Sequence, residues 1–325
     1  QALGWQHSSV LKDVEYEALS DGTRFDRAYR FAAARLVEEF ETAAVIDHDK
    51  LGMYAARGLI GVGIAGGPRD IKHVVELIEE RGIQMKGEHV ALIVGMTDSK
   101  VRVTNTVQVR IEEKLANLAR ASPRDKSAAL STKAIKAAIA RCGYTFTHEQ
   151  RAAIHVLAEG GALTMLTGVA GAGKTTLLEP LVAAWKADRR FGVNGREVIG
   201  AAMAWRQADA LQDAGIERTF ALSNLLAQVE SGEVRPTRNT VLVLDEASQI
   251  GPRSLLKLLE LQTRSGMTIK MLGDREQAQA IEAGDSIEIL RRVLPPEALP
   301  ELLTTMRQTT RRGREVAGLF RDGEA

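Results

Sequence analysis

Apolar positions recur along this chain in two different rhythms. In the first third they follow a helical period. Phe25, Ala28, Leu36, Val37 and Phe40 give one helix a single apolar face. A shorter helix follows over residues 47–57. Pro68 opens a third, with Ile71, Val74, Val75 and Ile78 at i, i+3, i+4 and i+7 and Gly82 placed to stop it. Residues 89–96 and 101–107 read as two strands joined by Asp98 and Ser99. Helix, helix, helix, hairpin is the order of a winged-helix unit. The third helix carries Glu76, Glu79 and Glu80, which would repel phosphate, so packing or scaffolding is the expected role rather than DNA reading.

Past a polar stretch at 121–131, the rhythm changes to short apolar runs alternating with helical segments. The runs at 162–166, 198–203, 241–244 and 269–272 are the strand candidates. Such alternation predicts an α/β fold with a mostly parallel sheet covered by helices. The chain contains no internal repeat and no low-complexity tract.

Composition narrows the picture only a little. Of 325 residues, 45% are hydrophobic and 26% charged, as in an ordinary globular protein. The formal net charge is +1, so any nucleic-acid surface must be a local patch. Aromatics are 4%, which leaves few platforms for base stacking. A single cysteine, Cys142, rules out internal disulfides and cysteine zinc sites and favours a reducing, cytoplasmic home. No apolar run approaches the ~20 residues that span a bilayer, so no membrane insertion is expected. The chain begins at Gln1 without a methionine and ends in a helical pattern, and it reads as a piece of something larger.

The strongest chemical signal is GVAGAGKT at residues 168–175, which fits G-x-x-x-x-G-K-[ST] without a mismatch. An apolar strand precedes it, and a helix is expected from Thr176 to Trp185. Gly168, Gly171 and Gly173 would let backbone amides close around phosphates at a helix N-terminus. Lys174 would neutralise the β/γ oxygens, and the Thr175 hydroxyl would ligate Mg2+, with Thr176 beside it. Residues 241–246, VLVLDE, form a buried-strand pattern ending in two carboxylates. Asp245 is suited to hold Mg2+ and Glu246 to polarise an attacking water. Together these point to binding and hydrolysis of ATP. Residues 61–66, GVGIAG, formally fit G-x-G-x-x-G, but they follow a helical pattern with no βαβ unit around them and read as a turn.

Three further pieces resemble superfamily 1 helicases of the RecD-like kind. Residues 147–154, THEQRAAI, resemble their Q-motif, which implies that the Gln150 amide hydrogen-bonds the adenine edge. Residues 272–284, beginning LGDREQ, resemble the GD-x-x-Q motif, which implies Gln277 near the γ-phosphate. Residues 303–308, LTTMRQ, resemble the next motif, which implies Arg307 as an internal arginine finger. Residues 202–211 (AMAWRQADAL), Ala214 to Ile216, residues 317–321 and residues 102–106 before a helix with Glu112 and Glu113 resemble the motor of TraI/TrwC-type conjugative relaxase–helicases.

That resemblance implies a RecA-like ATPase domain over 144–310. Before it would come an N-terminal extension (1–24), a helical winged-helix-like region (25–121), and a linker with a helix (122–143). Residues 311–325 would start the connection to a second motor domain. It also implies a 5′-to-3′ DNA helicase acting in plasmid transfer, with single-stranded DNA, a relaxase domain, a second RecA-like domain and the conjugation machinery as partners. Where such helicases carry Pro-Thr after the P-loop, this chain has Met203 and Ala204. Trp205 just beyond could stack on a base or simply pack, with Arg206 beside it as a basic DNA candidate. His7, His48, His73, His89, His148 and His155 form no H-x-H pair, so relaxase nicking is not encoded here. The chain is expected to bind Mg·ATP but not to unwind a duplex alone. The rival reading is a non-catalytic, single-stranded-DNA-gripping helicase fold, and a P-loop kinase or transporter ATPase is a third.

Overall fold

The computed structural model describes residues 19–97, 99–169, 171–191, 193–274 and 285–304. The chain forms two compact units, Gln1–Val109 and Arg110–Ala325.

The first unit is built on α1 (Asp21–Thr42), which buries Ala28, Ala32, Leu36 and Phe40 along one stripe. The helix starts before its apolar pattern does because its first turn is polar. Ser20 caps it by accepting from the Thr23 N–H at 3.3 Å, and Arg24 turns inward. Strand β1 (Ile46–Asp47), α2 (Asp49–Ile60) and α3 (Pro68–Arg81) follow. A small hairpin, β2 (Ile83–Met85) with β3 (Glu88–Val90), precedes the longer hairpin of β4 (Leu92–Thr97) and β5 (Lys100–Asn105). Strand β1 joins that hairpin by pairing Ile46 with Val103, giving the order β1-β5-β4. Three helices and then a hairpin follow in the order that the periodicity predicts, though the strand expected over 89–96 is divided between β3 and β4, and β1 and β2 carry no signal in it. On α3 the exposed face mixes Lys72 and His73 with Glu76, Glu79 and Glu80, and His48 Nε2 lies 2.7 Å from Glu79.

The glycine loop at 61–66 is a turn between α2 and α3, as its sequence context indicates. Its amides are used internally. Asp70 Oδ2 accepts from Ala65 N–H at 3.0 Å and Gly66 N–H at 2.9 Å, and from Arg24 Nη1 at 3.0 Å. Those amides, led by Gly66, hold the Asp70 carboxyl below its ordinary range. A protein carboxylate occupies the nest that a phosphate would need.

The second unit is a six-stranded sheet in the order β11-β6-β10-β9-β7-β8, parallel throughout. Helix α4 (Thr106–Ala121), α5 (Thr132–Arg141) and α6 (His148–Glu159) lead to β6 (Leu163–Gly168) and α7 (Leu178–Lys186). Then come β7 (Glu197–Ala202), α8 (Trp205–Asp209), β8 (Arg218–Ala221), α9 (Leu222–Glu230), β9 (Thr240–Leu244) and α10 (Pro252–Ser265). Strand β10 (Thr268–Gly273), α11 (Ser286–Val293) and β11 (Glu301–Leu302) complete it. This is a RecA-like α/β fold. Its inner strands are buried on both faces, which is why they read as unbroken apolar runs.

Alternate residues of each strand feed two separate cores. Leu242 and Leu244 pack with Leu115, Leu225, Leu255 and Leu258 on one face. Val241 and Val243 pack with Ile154, Leu157, Leu181 and Trp185 on the other. The two strands without a sequence signal, β8 and β11, are the sheet's edges, where short polar strands suffice. Among the described residues no helix is long and apolar enough to cross a membrane.

One charged side chain interrupts the central strands. Lys270 is 2% exposed, and its ammonium donates to Gly161 O at 2.9 Å and Thr164 Oγ1 at 3.0 Å. Burial, with the like charge of Arg196 adding to it, brings its pKa down from 10.5 to about 7. The unfolded chain therefore holds this proton more tightly than the folded one, and stability from this group grows as pH rises from about 7 towards 10. Paired thermal melts of the wild type and Lys270→Met should show this as a wild-type curve gaining on the variant by up to about 1.4 kcal/mol per pH unit in that window. Parallel curves would show that the lysine stays charged in the fold.

Candidate functional site

At the carboxyl ends of β6, β9 and β10, three adjacent segments bring the sequence's chemical residues together. Strand β6 ends at Gly168, and the loop behind it turns at Gly171 (φ 75°) and Gly173 (φ 79°), left-handed values that glycine adopts without strain. Ala172 N–H donates to Val169 O at 3.1 Å and closes the turn. Residues 174–177 wind as turns, so α7 begins at Leu178 rather than at the expected Thr176. Thr175 and Thr176 are half-buried on that winding.

Lys174 folds over its own loop. Its Nζ donates to Gly168 O at 2.6 Å and Val169 O at 3.4 Å and lies 3.6 Å from Asp274 Oδ2. Asp274, at the end of β10, is 3% exposed. The GD pair of residues 273–274 marks this position, but the sequence reading assigned it no role. The sheet order supplies one by setting β10 between the lysine's strand and β9.

From β9, Asp245 N–H donates to Ala201 O of β7 at 2.9 Å, and Asp245 Oδ1 accepts from Glu246 N–H at 2.8 Å. Glu246 itself sits in the left-handed region at φ 51°, ψ 41°, a strained setting for a residue with a side chain. Desolvation raises the Asp245 carboxyl above its ordinary range, against a smaller pull from Lys174. Desolvation also raises Glu246, helped by repulsion from Asp245 and Asp274. Three carboxylates thus share the field of Lys174.

This donor set fits a polyphosphate with a divalent cation. Desolvation raises the Asp245 and Glu246 carboxyls, a cost that a cation beside them would offset, and the glycine turns leave backbone amides where an anion could meet them. Among the described residues no three His, Cys, Asp or Glu side chains gather as a metal site. A cation here would rely on Thr175, Asp245 and oxygens brought by the ligand.

Gln150 sits at the first turn of α6, 6% exposed. Its Oε1 accepts from Thr147 N–H at 3.1 Å and its Nε2 donates to Ala172 O of the glycine loop at 3.0 Å. The neighbouring Glu149 accepts from Leu303 N–H at 2.5 Å, tying the chain after β11 to the same turn. Trp205 opens α8 after β7 and is 52% exposed, with Arg206 exposed beside it. Gln277 and Arg307 lie outside the described residues.

Comparison with known proteins bears on the same stretch. The family described as "AAA domain" matches residues 145–325. The conjugal transfer protein TraA of Agrobacterium fabrum is 31% identical over 208 residues, 64% of this chain and 18% of TraA. The multifunctional conjugation protein TraI of Escherichia coli is 29% identical over 149 residues, 45% of this chain and 8% of TraI. The chain therefore spans less than a fifth of the length of these relatives. A crystal structure of Bacteroides Pif1 bound to single-stranded DNA overlays 56% of this chain and 47% of its own, with 21% identity and a TM-score of 0.39.

The raised Asp245 pKa has a stability consequence. The folded state holds this proton more tightly than the unfolded one, so the carboxylate destabilises the fold above the ordinary aspartate range. Asp245→Asn, whose Oδ1 can still accept from Glu246 N–H, should raise the melting temperature of the ligand-free protein at pH 8 by about 2–4 °C, on the order of 1 kcal/mol. The gain should shrink towards pH 4. A variant that melts lower at every pH would show that Lys174 fully compensates this charge.

Proposed function

The chain belongs to the AAA domain family, and from that premise we propose that it is the ATP-binding and ATP-hydrolysing motor segment of a 5′-to-3′ DNA helicase within a conjugal transfer protein. The observation that carries the proposal is the convergence of Lys174, Asp245, Glu246 and Asp274 at the ends of three neighbouring parallel strands. The TraA and TraI likeness supports the setting in DNA transfer.

In this reading the glycine turn at 171–173 offers its amides to the phosphates. Lys174 exchanges its loop carbonyls for phosphate oxygens. Thr175 and Asp245 would hold Mg2+, which supplies positive charge to the transferred phosphoryl group when bound. Glu246 orients the attacking water and takes its proton on the carboxylate. Its raised pKa makes it a stronger base than an exposed glutamate. Gln277 and Arg307 take the γ-phosphate-sensing and arginine-finger roles that the motif resemblance implies. Trp205 and Arg206, exposed at the start of α8, are the proposed contacts to single-stranded DNA. The remainder of the parent protein, with a relaxase domain and a second RecA-like domain, would convert hydrolysis into movement.

Titration of a fluorescent ATP analogue with Mg2+, followed by single-strand-stimulated hydrolysis, tests this. Lys174→Ala should weaken binding at least about tenfold, as loss of a charge-assisted phosphate contact implies. Glu246→Gln should bind like wild type and hydrolyse about a hundredfold more slowly or worse. Binding without hydrolysis by the wild type, with single-stranded DNA and the parent protein present, would favour the DNA-gripping scaffold. No binding at all would sink the motor.

A further inference from the structure

We infer that the cleft at the amino end of β6 docks an acidic peptide segment of a partner protein, one in which carboxylates alternate with apolar side chains. The cleft and the nucleotide site lie at opposite ends of that six-residue strand, about 20 Å apart. The inference does not depend on the nucleotide reading above.

The cleft encloses about 610 Å3, in the size class of sites that bury a small ligand. Three segments of the second unit wall it. They are the end of α4 with the 3-10 turn Ser122–Arg124, the C-terminal end of α6, and the connection from α11 to β11. The polar stretch at 121–131 reads as a linker in the sequence, yet here it is pinned. Ser122 Oγ donates to Gln262 Oε1 at 2.7 Å, Gln262 Nε2 donates to Ala162 O at 2.6 Å, and Ala162 N–H donates to Asp125 O at 2.8 Å. Gly161 passes so close that a Cβ there would stand 2.0 Å from Pro123 O. A wall held in this way has little freedom left to lose on binding.

The charges lining the cleft do not cancel. Arg120, Arg124 and Lys126 are exposed cations on its rim. Arg120 sits in the last turn of α4, where the helix dipole favours a cation on its own account. Arg124 and Lys126 lie past that helix, and among the described residues their side chains donate no hydrogen bond. Two carboxylates stand against them, and Glu159 is already committed. It accepts from Thr132 Oγ1 at 2.7 Å and lies 3.1 Å from His155 Nδ1. Those contacts, led by Thr132, hold its carboxyl below the ordinary range. Glu297 is left to face three cations.

The floor selects among anions. It is apolar, made by Val156, Val293, Leu294 and Pro295. No Phe, Tyr or Trp lines it, and its one ring, His155, is held by Glu159. The bases of a nucleic acid would find no stacking platform there. A peptide that alternates apolar side chains with carboxylates meets floor and rim together, and the complementary charge favours its encounter over other segments.

The test follows the fluorescence anisotropy of a labelled short peptide of alternating glutamate and leucine added to the whole chain. A glutamine-leucine peptide and single-stranded oligothymidylate are the comparison ligands. The proteins are wild type, Arg124→Glu, Lys126→Glu and Lys136→Glu. Lys136 is exposed on α5 outside the cleft lining, so the last variant makes the same change of charge elsewhere. Thermal melts check that all four are folded. Arg124→Glu and Lys126→Glu should each weaken the glutamate-leucine peptide at least about tenfold, and Lys136→Glu should leave it within about twofold. The glutamine-leucine peptide should bind wild type at least about tenfold more weakly.

Equal losses in all three variants would show a general charge effect and overturn the inference. Tighter binding of oligothymidylate than of the peptide, lost in Arg124→Glu, would make the cleft a nucleic-acid surface and overturn it too. So would a folded wild type that leaves the glutamate-leucine peptide free up to about 1 mM.

Discussion

Lys174 stands with Asp274 Oδ2 at 3.6 Å and with Asp245 and Glu246 close enough for their charges to act on one another. Taking these charges out of water is costly, so their common position at the carboxyl ends of β6, β10 and β9 has to be held by the packing beneath it. The rest of the second unit holds that cluster in place. Two apolar cores clamp the strands from both faces, and the parallel order β6-β10-β9 fixes the spacing of the acids. The strain at Glu246 belongs to the same arrangement, because its left-handed backbone follows directly on the hydrogen bond that Asp245 makes to its amide.

The legible parts of this architecture were those for which burial is symmetric. Strands β6, β9 and β10 are covered on both faces and therefore announce themselves as unbroken apolar runs. Among the described residues, edge strands β8 and β11 leave one side without a partner strand; they carry polar residues such as Arg218, Thr219 and Glu301 and look like loops in one dimension. Strand β2 was invisible, and β3 merged with β4 into one expected run over 89–96, because three-residue strands have no period to detect. The nucleotide loop was readable because its motif is a direct record of backbone demands, glycine where φ is positive and lysine where charge is needed. Asp274 was not, because its partner lies 100 residues away and only the sheet order introduces them.

The two glycine-rich loops make the contrast plain. GVGIAG and GVAGAGKT look alike as strings, and context alone separates them. The first has Asp70 four residues beyond Gly66, near enough to take the free amides for itself, and Arg24 closes the pair from α1. The second has no carboxylate at that offset, and its cation comes from its own Lys174. A loop that supplies its own anion becomes a clasp between helices. One that supplies its own cation stays open for a ligand.

The first turn of α6 makes two attachments from adjacent residues. Gln150 grips the glycine loop through Ala172 O, and Glu149 grips the chain leaving β11 through Leu303 N–H. Because both grips sit on one rigid helical turn, that turn works as a fulcrum. A change in the loop's shape that tilts the start of α6 is therefore carried to Leu303 as well. Mechanically, the glycine loop and the residue that follows β11 share a single bearing.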